Sequence, residues 1–476
     1  SSDFPEDAAD AAVNFDIDSP KIKDRLGEDN GYAFAIMYAG DTHGSLENCG
    51  CPSHPMGGLA WGVSYVKAFR QRSNYEAPAL MVDAGNMFTD NRFVGNQLPA
   101  EAMIKNQWVL KAYGEFRYDV ANISFNDLPY MAELLKKEGY DKRVEDYPFI
   151  NRLVSANVQP TDDSRKAPLP YIVREVTLNR AVPGKKLRIA FVGLTEGKPI
   201  MANQREPFYA GFRIDDVFET AKRIIPEAKQ KADLVVVLAY MPQDMTERLA
   251  SENPDIDTII GARQVSQTNE PQHFGRATVT YVFNQTKYLG ELRYYMRGDG
   301  TIENQVNRYV GLDADIPEDP QAAEIVAAAH TEFTNVQRAE MNSNPQPPPM
   351  QNISSDSPYV GAATCASCHS EQYSIWEKSG HAHAMATLEK KNQQFDNDCV
   401  RCHVVGFEKG GFQTLITTPQ LANVQCEACH GPGRAHIAAP AKGYGVMATP
   451  AGCMQCHTQS NSPDFNFEAY WPKIKH

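Results

Sequence analysis

The sequence predicts an α/β domain followed by a mostly helical and irregular domain organised around bound groups. Three observations predict it. Between Tyr32 and Met296, short apolar runs alternate with segments of helical period. A Pro- and Asn-rich stretch from Asn342 to Pro358 then breaks that pattern. Beyond it, residues 358–476 lose both periods and become rich in Cys, His and Gly.

The elements follow in chain order. Residues 1–30 are acidic and aperiodic and read as an extended arm. Tyr32–Ala39 reads as a strand, followed by the polar loop Gly40-Asp-Thr-His-Gly44. Leu59–Arg72 reads as a helix, Ala79–Asp83 as a strand, and Ala100–Tyr113 as a helix. Val120–Ile123, Leu187–Val192 and Leu234–Ala239 are further strands, with Val217–Lys231 a helix between the last two. Ala277–Phe283 and Leu289–Met296 read as a closing antiparallel pair. Strands alternating with helices imply sheet covered by helices, with function in the loops at the carboxyl ends of strands. Pro320–Met341 is Ala-rich and helical, and the stretch after it is a semi-rigid linker. The boundaries expected are 1–30 for the arm, 31–312 for the α/β domain, 313–357 for helix and linker, and 358–476 for the last domain.

Composition narrows the function classes. The chain has 476 residues, enough for two or three domains at roughly 100–200 residues each. Lys and Arg number 46 against 59 Asp and Glu, a net charge of −13. A phosphate backbone wants a basic surface, so nucleic acid is not an expected partner. No apolar run approaches the ~18 residues of a membrane span.

Eight of the 10 cysteines fall in one repeated motif: Cys365-Ala-Ser-Cys368-His369, Cys399-Val-Arg-Cys402-His403, Cys426-Glu-Ala-Cys429-His430 and Cys453-Met-Gln-Cys456-His457. Two thiols at this spacing add across the two vinyl groups of one haem, and the adjacent imidazole meets the iron from one face. A zinc site would use paired Cys-x-x-Cys units without a His after each. Four haem c groups are therefore expected, with His369, His403, His430 and His457 as proximal ligands. Bacterial haem c is attached outside the cytoplasm. The expected location is therefore periplasmic or extracellular, with an export signal already removed.

Each iron needs a second axial ligand. The other histidines are His43, His54, His273, His330, His381, His383, His436 and His476. Trp376-Glu-Lys-Ser379-Gly-His381-Ala and His430-Gly-Pro-Gly-Arg-Ala-His436 resemble the distal-ligand segments of the tetrahaem cytochrome family of the hydroxylamine-oxidation pathway. In that family a Trp–Ser–His–Ala stretch and a Cys-His-Gly-Pro-Gly-x-x-His stretch each present an imidazole to another haem. The resemblance implies His381 and His436 as distal ligands. His383 is a third ligand or a supporting group. The fourth position is open between His476, His54, Met385, Met447 and no ligand, since one haem of that family can lack a distal ligand.

Tyr38-Ala-Gly-Asp41-Thr-His43-Gly44 closes the first strand and resembles the first metal motif of metallophosphoesterases of the 5′-nucleotidase type. The resemblance covers residues 32–310 and implies a sandwich with two metal ions ~3.5–4 Å apart. The later motifs depart from that pattern. Gly85-Asn86 stands where a bridging Asp belongs, Ser124-Phe-Asn126-Asp127 lacks its His, Tyr240 or Met241 replaces another His, and Gly261-Ala-Arg263-Gln264 replaces a Gly-His-x-His. Without the bridging carboxylate, hydrolysis is not expected. One residual divalent ion on Asp41, His43 and Asn86, with Asn126 in support, is the alternative to loop hydrogen bonding by the same side chains. The loop continues Cys49-Gly-Cys51-Pro-Ser-His54-Pro-Met-Gly57-Gly58-Leu59, resembling a subgroup of nucleotidase-like exported proteins, some fused to cytochrome domains. Cys49 and Cys51 are candidates for a redox pair or soft metal ligands, against a reading as inert thiols.

Together these imply a metallophosphoesterase-like α/β sandwich joined to a tetrahaem electron-transfer domain. Expected partners are other redox proteins or multihaem cytochromes, in a homo-oligomer or a larger cytochrome assembly. A redox enzyme acting at Cys49 and Cys51 with the haems as relay is one alternative. A metal-dependent phosphoesterase or 5′-nucleotidase is the other.

Overall fold

A computed structural model describes residues 12–48, 55–89, 98–197, 209–263, 270–283, 287–343, 356–391, 393–394, 397–415, 417–445, 449–458, 461–462 and 464–476. The chain divides into two compact units, Ser1–Ala329 and His330–His476. The division falls inside the helix Pro320–Ser343. Most of the expected linker, residues 344–355, lies outside the described residues, as do Cys49, Cys51, His54, Gln264 and Met447.

The first unit contains two six-stranded sheets. In one, the order is Ile302–Gly311, Tyr288–Met296, Phe34–Ala39, Ala79–Asp83, Val120–Asn122, Leu153–Val154. In the other it is Gln272–Phe274, Ala277–Tyr281, Thr258–Ala262, Leu234–Tyr240, Lys185–Thr195, Tyr171–Leu178. Alternation along the strands stacks the two sheets face to face. Phe34, Ile36 and Tyr38 point into the same cluster as Leu234, Val236 and Leu238. The intervening Ala35 and Met37 face Tyr65 and Phe69 of the helix Leu59–Arg72. Val235 and Val237 face Ile224 and Ile225 of the helix Val217–Lys231. A period of two thus buries both faces of one strand in different layers. This is the sandwich expected from the sequence, flanked by helices.

Two expectations are corrected. The strands Ala277–Tyr281 and Tyr288–Met296 do not pair with each other. The first pairs in parallel with Thr258–Ala262, and the second antiparallel with Phe34–Ala39 in the opposite sheet. Nearness in sequence suggested a hairpin, but the register of each strand is set by the sheet that buries it. The acidic arm is also not extended throughout. Pro20–Leu26 forms a helix that buries Ile22 and Leu26, four residues apart on one face. Proline at its first turn favours that start. Arg25 pairs with Asp313 at 2.6 Å, and the Leu26 carbonyl accepts from Arg293 at 2.5 Å.

The parallel strands 34–39, 79–83 and 120–122 bring the loops after Ala39, Asp83 and Asn122 to one edge. Strands 185–195, 234–240 and 258–262 are likewise parallel to each other. Phe125, after a strand of the first sheet, meets Tyr240 at the end of a strand of the second with ring centroids 5.7 Å apart. The carboxyl ends of both sheets therefore share one rim.

The second unit is built of short helices such as Ala362–Ala366, Ser370–Glu377, Ala384–Glu389 and Cys426–His430. Its apolar cluster is small, joining Tyr359, Met385, Leu388, Val400, Val404, Val405, Phe412, Leu421 and Ala422. Tyr444 and Met454 remain 47 % and 49 % exposed.

Candidate functional sites

Each Cys-x-x-Cys-His motif sits on a helical turn, which places its two thiols on one side and its imidazole one residue beyond. The amide of His369 donates to the Cys365 carbonyl at 2.9 Å, and that of His457 to Cys453 at 2.9 Å. None of the eight thiols forms a disulfide. They instead approach one another across motifs. The thiol of Cys365 lies close enough to Cys426 to interact electrostatically, which links the first motif to the third, and Cys402 and Cys456 likewise link the second to the fourth. Cys429 and Cys453 lie close enough to interact electrostatically, which links the third to the fourth.

Imidazoles far apart in sequence face each other. Ring centroids lie 6.3 Å apart for His369 and His436, 6.0 Å for His381 and His457, and 5.8 Å for His430 and His476. Two imidazoles bound to opposite sides of one metal, with bonds of about 2.0 Å, have centroids roughly 6 Å apart. The donor set therefore fits an iron between each pair. The Nδ1 atom of His436 is buried without a hydrogen-bond partner among the described residues. Burial pulls the His381 imidazole below its usual range, and His457 and His403 add to the effect. Burial does the same to His457 and His403. Neutral imidazole is the form that binds a metal.

Supporting contacts orient these rings. His457 Nδ1 lies 3.1 Å from Ser462 Oγ, and its ring stacks on Phe465 at 4.3 Å. His436 stacks on Tyr444 at 4.8 Å. His403 Nδ1 donates to the Ala384 carbonyl at 2.7 Å, leaving Nε2 for a metal. No ring faces His403 among the described residues, and Met385 is buried in the apolar cluster with Val400 and Val404. His383 is exposed and faces no ring among the described residues.

The rim of the first unit holds a different arrangement. The Asn86 amide donates to Asp41 Oδ1 at 2.7 Å and lies 2.6 Å from His43 Nε2, while its oxygen accepts from Asn126 at 3.1 Å. Asp41, His43, Asn86 and Arg263 all adopt left-handed backbone, with φ of 55°, 50°, 65° and 74°. Such conformations are uncommon outside glycine and persist where surrounding structure holds them. Two buried carboxylates hold the loop around one of these residues, Asn86. Asp127 accepts from the Asn86 amide at 3.0 Å and from Phe88 and Ser124 at 2.8 and 2.7 Å. Asp83 accepts from Gly85 at 2.8 Å and from the Tyr113 hydroxyl at 2.7 Å. Burial pushes Asp83 up to about 6 and Asp127 up to about 7.

Asp41, His43 and Asn86 thus come together, but through an amide placed between the acid and the imidazole. Tyr240 is buried against Phe125, and Arg263 lies over the Phe125 ring at 5.4 Å. Among the described residues no three His, Cys, Asp or Glu side chains converge to hold an ion. This donor set does not fit a two-metal centre. Sequence reasoning missed the roles of Phe125 and Asp83, because neither is a ligand type at a motif position.

Residues 364–431 match the sequence family described as cytochrome c554 and c-prime. Over 100 residues the chain is 39% identical to cytochrome c-554 of Nitrosomonas europaea, covering 18% of this chain and 43% of that protein. Over 217 residues it is 27% identical to the 2′,3′-cyclic-nucleotide 2′-phosphodiesterase/3′-nucleotidase of Yersinia enterocolitica, covering 43% of this chain and 31% of that protein. The chain thus spans less than half the length of either relative. The sulfate thiohydrolase SoxB of Thermus thermophilus superposes with a TM-score of 0.51 at 13% identity, covering 65% of this chain and 62% of that one. The C-terminal region thus carries a match to the cytochrome c554 family, and the N-terminal region shares the α/β fold of SoxB and sequence similarity with a cyclic-nucleotide phosphodiesterase/3′-nucleotidase.

Proposed function

We propose that this protein is an exported electron-transfer protein carrying four haem c groups, with a phosphoesterase-type domain that does not hydrolyse phosphoesters. The observation that carries the reading is the set of three imidazole pairs about 6 Å apart. In each pair one ring belongs to a Cys-x-x-Cys-His motif and the other comes from a distant segment. His436, six residues beyond the third motif, serves the first; His381, beyond the first motif, serves the fourth; His476 serves the third. Close approaches between thiols support the spatial order first, third, fourth, second.

When bound, each haem supplies a one-electron Fe(III)/Fe(II) couple. The chain's residues would hold the couples close together and set ring orientation through stacking on Tyr444 and Phe465 and hydrogen bonds to Ser462 and the Ala384 carbonyl. Intact mass should exceed the 52.9 kDa polypeptide by four haems, and the pyridine haemochrome should agree; any other count sinks the reading.

A second reading applies to one position. His403 has no facing ring among the described residues and sits beside an apolar cluster, which favours an open axial site able to bind a small neutral ligand.

A further inference from the structure

The third motif carries an acid between its two cysteines, and that acid is buried. Glu427 is 5% exposed. Its Oε1 accepts from the amides of Val360 at 3.0 Å and Gly433 at 2.7 Å. Its Oε2 accepts from Gly361 at 2.8 Å and also from Val360 at 3.1 Å. All these donors are neutral backbone groups. No cation pairs with Glu427 among the described residues. The nearest such group along the chain, Arg434, is half-buried and donates instead to the carbonyls of Ser357 and Tyr359. Three amides satisfy the hydrogen-bonding capacity of the carboxylate and cradle its charge without cancelling it.

The charge sits where two haem attachment points meet. Glu427 is bonded directly to Cys426, whose thiol lies near Cys365 of the first motif. Two of its donors, Val360 and Gly361, lead straight into the helix Ala362–Ala366, which carries Cys365. Water screens a charge at this depth poorly. A fixed negative charge beside an iron favours the ferric state, which carries one more positive charge than the ferrous.

We infer that Glu427 is a positioning residue that lowers the reduction potentials of the haems attached through the first and third motifs. The inference rests on the haem reading above. It also explains why an acid serves here rather than an amide. Gln has one accepting oxygen and a nitrogen that would face an N–H donor, so it could hold the loop only in part.

The test uses the full-length holoprotein and the variants Glu427→Gln and Glu427→Asp, each first checked for four haems by mass and haemochrome. In potentiometric titration followed by haem absorbance, Glu427→Gln should raise the ferrous-to-ferric ratio of two haems about tenfold at fixed potential, ~59 mV for a one-electron couple. Glu427→Asp, which keeps the charge, should stay within about twofold of the parent. Unchanged midpoints in a four-haem Glu427→Gln overturn the inference, as does an equal shift in Glu427→Asp. Should Glu427→Gln not hold four haems, Glu427→Asn against Glu427→Asp makes the same comparison. If no neutral side chain at 427 supports four haems, Glu427 is a latch for folding and the tuning role is overturned. A parent protein without four haems sinks the haem reading itself, a separate outcome.

Discussion

The imidazoles of His381 and His457 face each other with centroids 6.0 Å apart. One ring follows the first Cys-x-x-Cys-His motif and the other belongs to the fourth. The Val424 amide donates to the His381 carbonyl at 3.1 Å, and the Trp376 indole donates to the Val424 carbonyl at 2.7 Å. Both ends of the Trp376–His381 segment are thus tied to the strand of chain entering the third motif.

These pairs can be tested one at a time. Replacing His381, His436 or His476 with Ala should convert one haem from low spin to high spin in each case, leaving four haems attached. His383→Ala should change nothing, because that ring is exposed and faces no other ring among the described residues. Magnetic circular dichroism or paramagnetic resonance reads the outcome. A fully low-spin spectrum in all three variants would sink the assignment.

The helix Pro20–Leu26 should be an integral part of the first unit. Leu26 is 1% exposed and packs with Tyr32 and Phe69 in one cluster. Leu26→Ala should cost roughly 2–4 kcal/mol through lost burial and a cavity. The urea midpoint of the first transition is the measurement. A loss below about 0.5 kcal/mol would mean the segment is a loosely held arm.

Stability should fall as pH rises through the values of the rim carboxylates. Burial raises Asp83 to about 6 and Asp127 to about 7, against about 3.9 in an unfolded chain. The folded state therefore binds more protons than the unfolded state between pH ~4 and ~7. The stability these groups contribute is full below pH ~4 and is lost as pH rises through 6 and 7. Asp83→Asn should flatten this fall by roughly 3 kcal/mol between pH 4 and pH 8. Parallel pH–stability curves for the parent and the variant would contradict the shift.

Nucleotides and cyclic nucleotides should not be turned over with added Mn²⁺ at ordinary enzyme rates, median ~10 s⁻¹. The reason is Asn86, whose amide occupies the space between Asp41 and His43. Asn86→Asp should replace that donor with a carboxylate and create binding of a divalent ion, read by calorimetry. Turnover in the parent near the median rate would refute the claim. Failure of Asn86→Asp to bind any ion would show that Asn86 is not what keeps the ion out.

Much of the fold was legible because burial writes a period into sequence. The helices Leu59–Arg72 and Val217–Lys231 and the strand Ala79–Asp83 have the limits their apolar spacing predicts. Helix 20–26 was missed because seven residues with two apolar positions carry too weak a period. The separation of strands 277–281 and 288–296 into different sheets was missed because pairing is a long-range choice.

The sequence by itself determined the chemistry of the second unit. Cys-x-x-Cys-His is a local pattern, and one helical turn is enough to bring its groups together. It also determined which rim positions lack a carboxylate or imidazole, since residue identity alone decides whether a side chain can bridge two ions. Only the tertiary structure decided which imidazole opposes which, placing His436 against His369, His381 against His457 and His476 against His430. It alone placed the Asn86 amide between Asp41 and His43, and the Glu427 carboxylate on the amides before Cys365. The physical reason is range. Covalent spacing and periodicity act over a few residues, whereas an axial pair or a buried hydrogen bond joins segments whose distance in sequence carries no information about their distance in space.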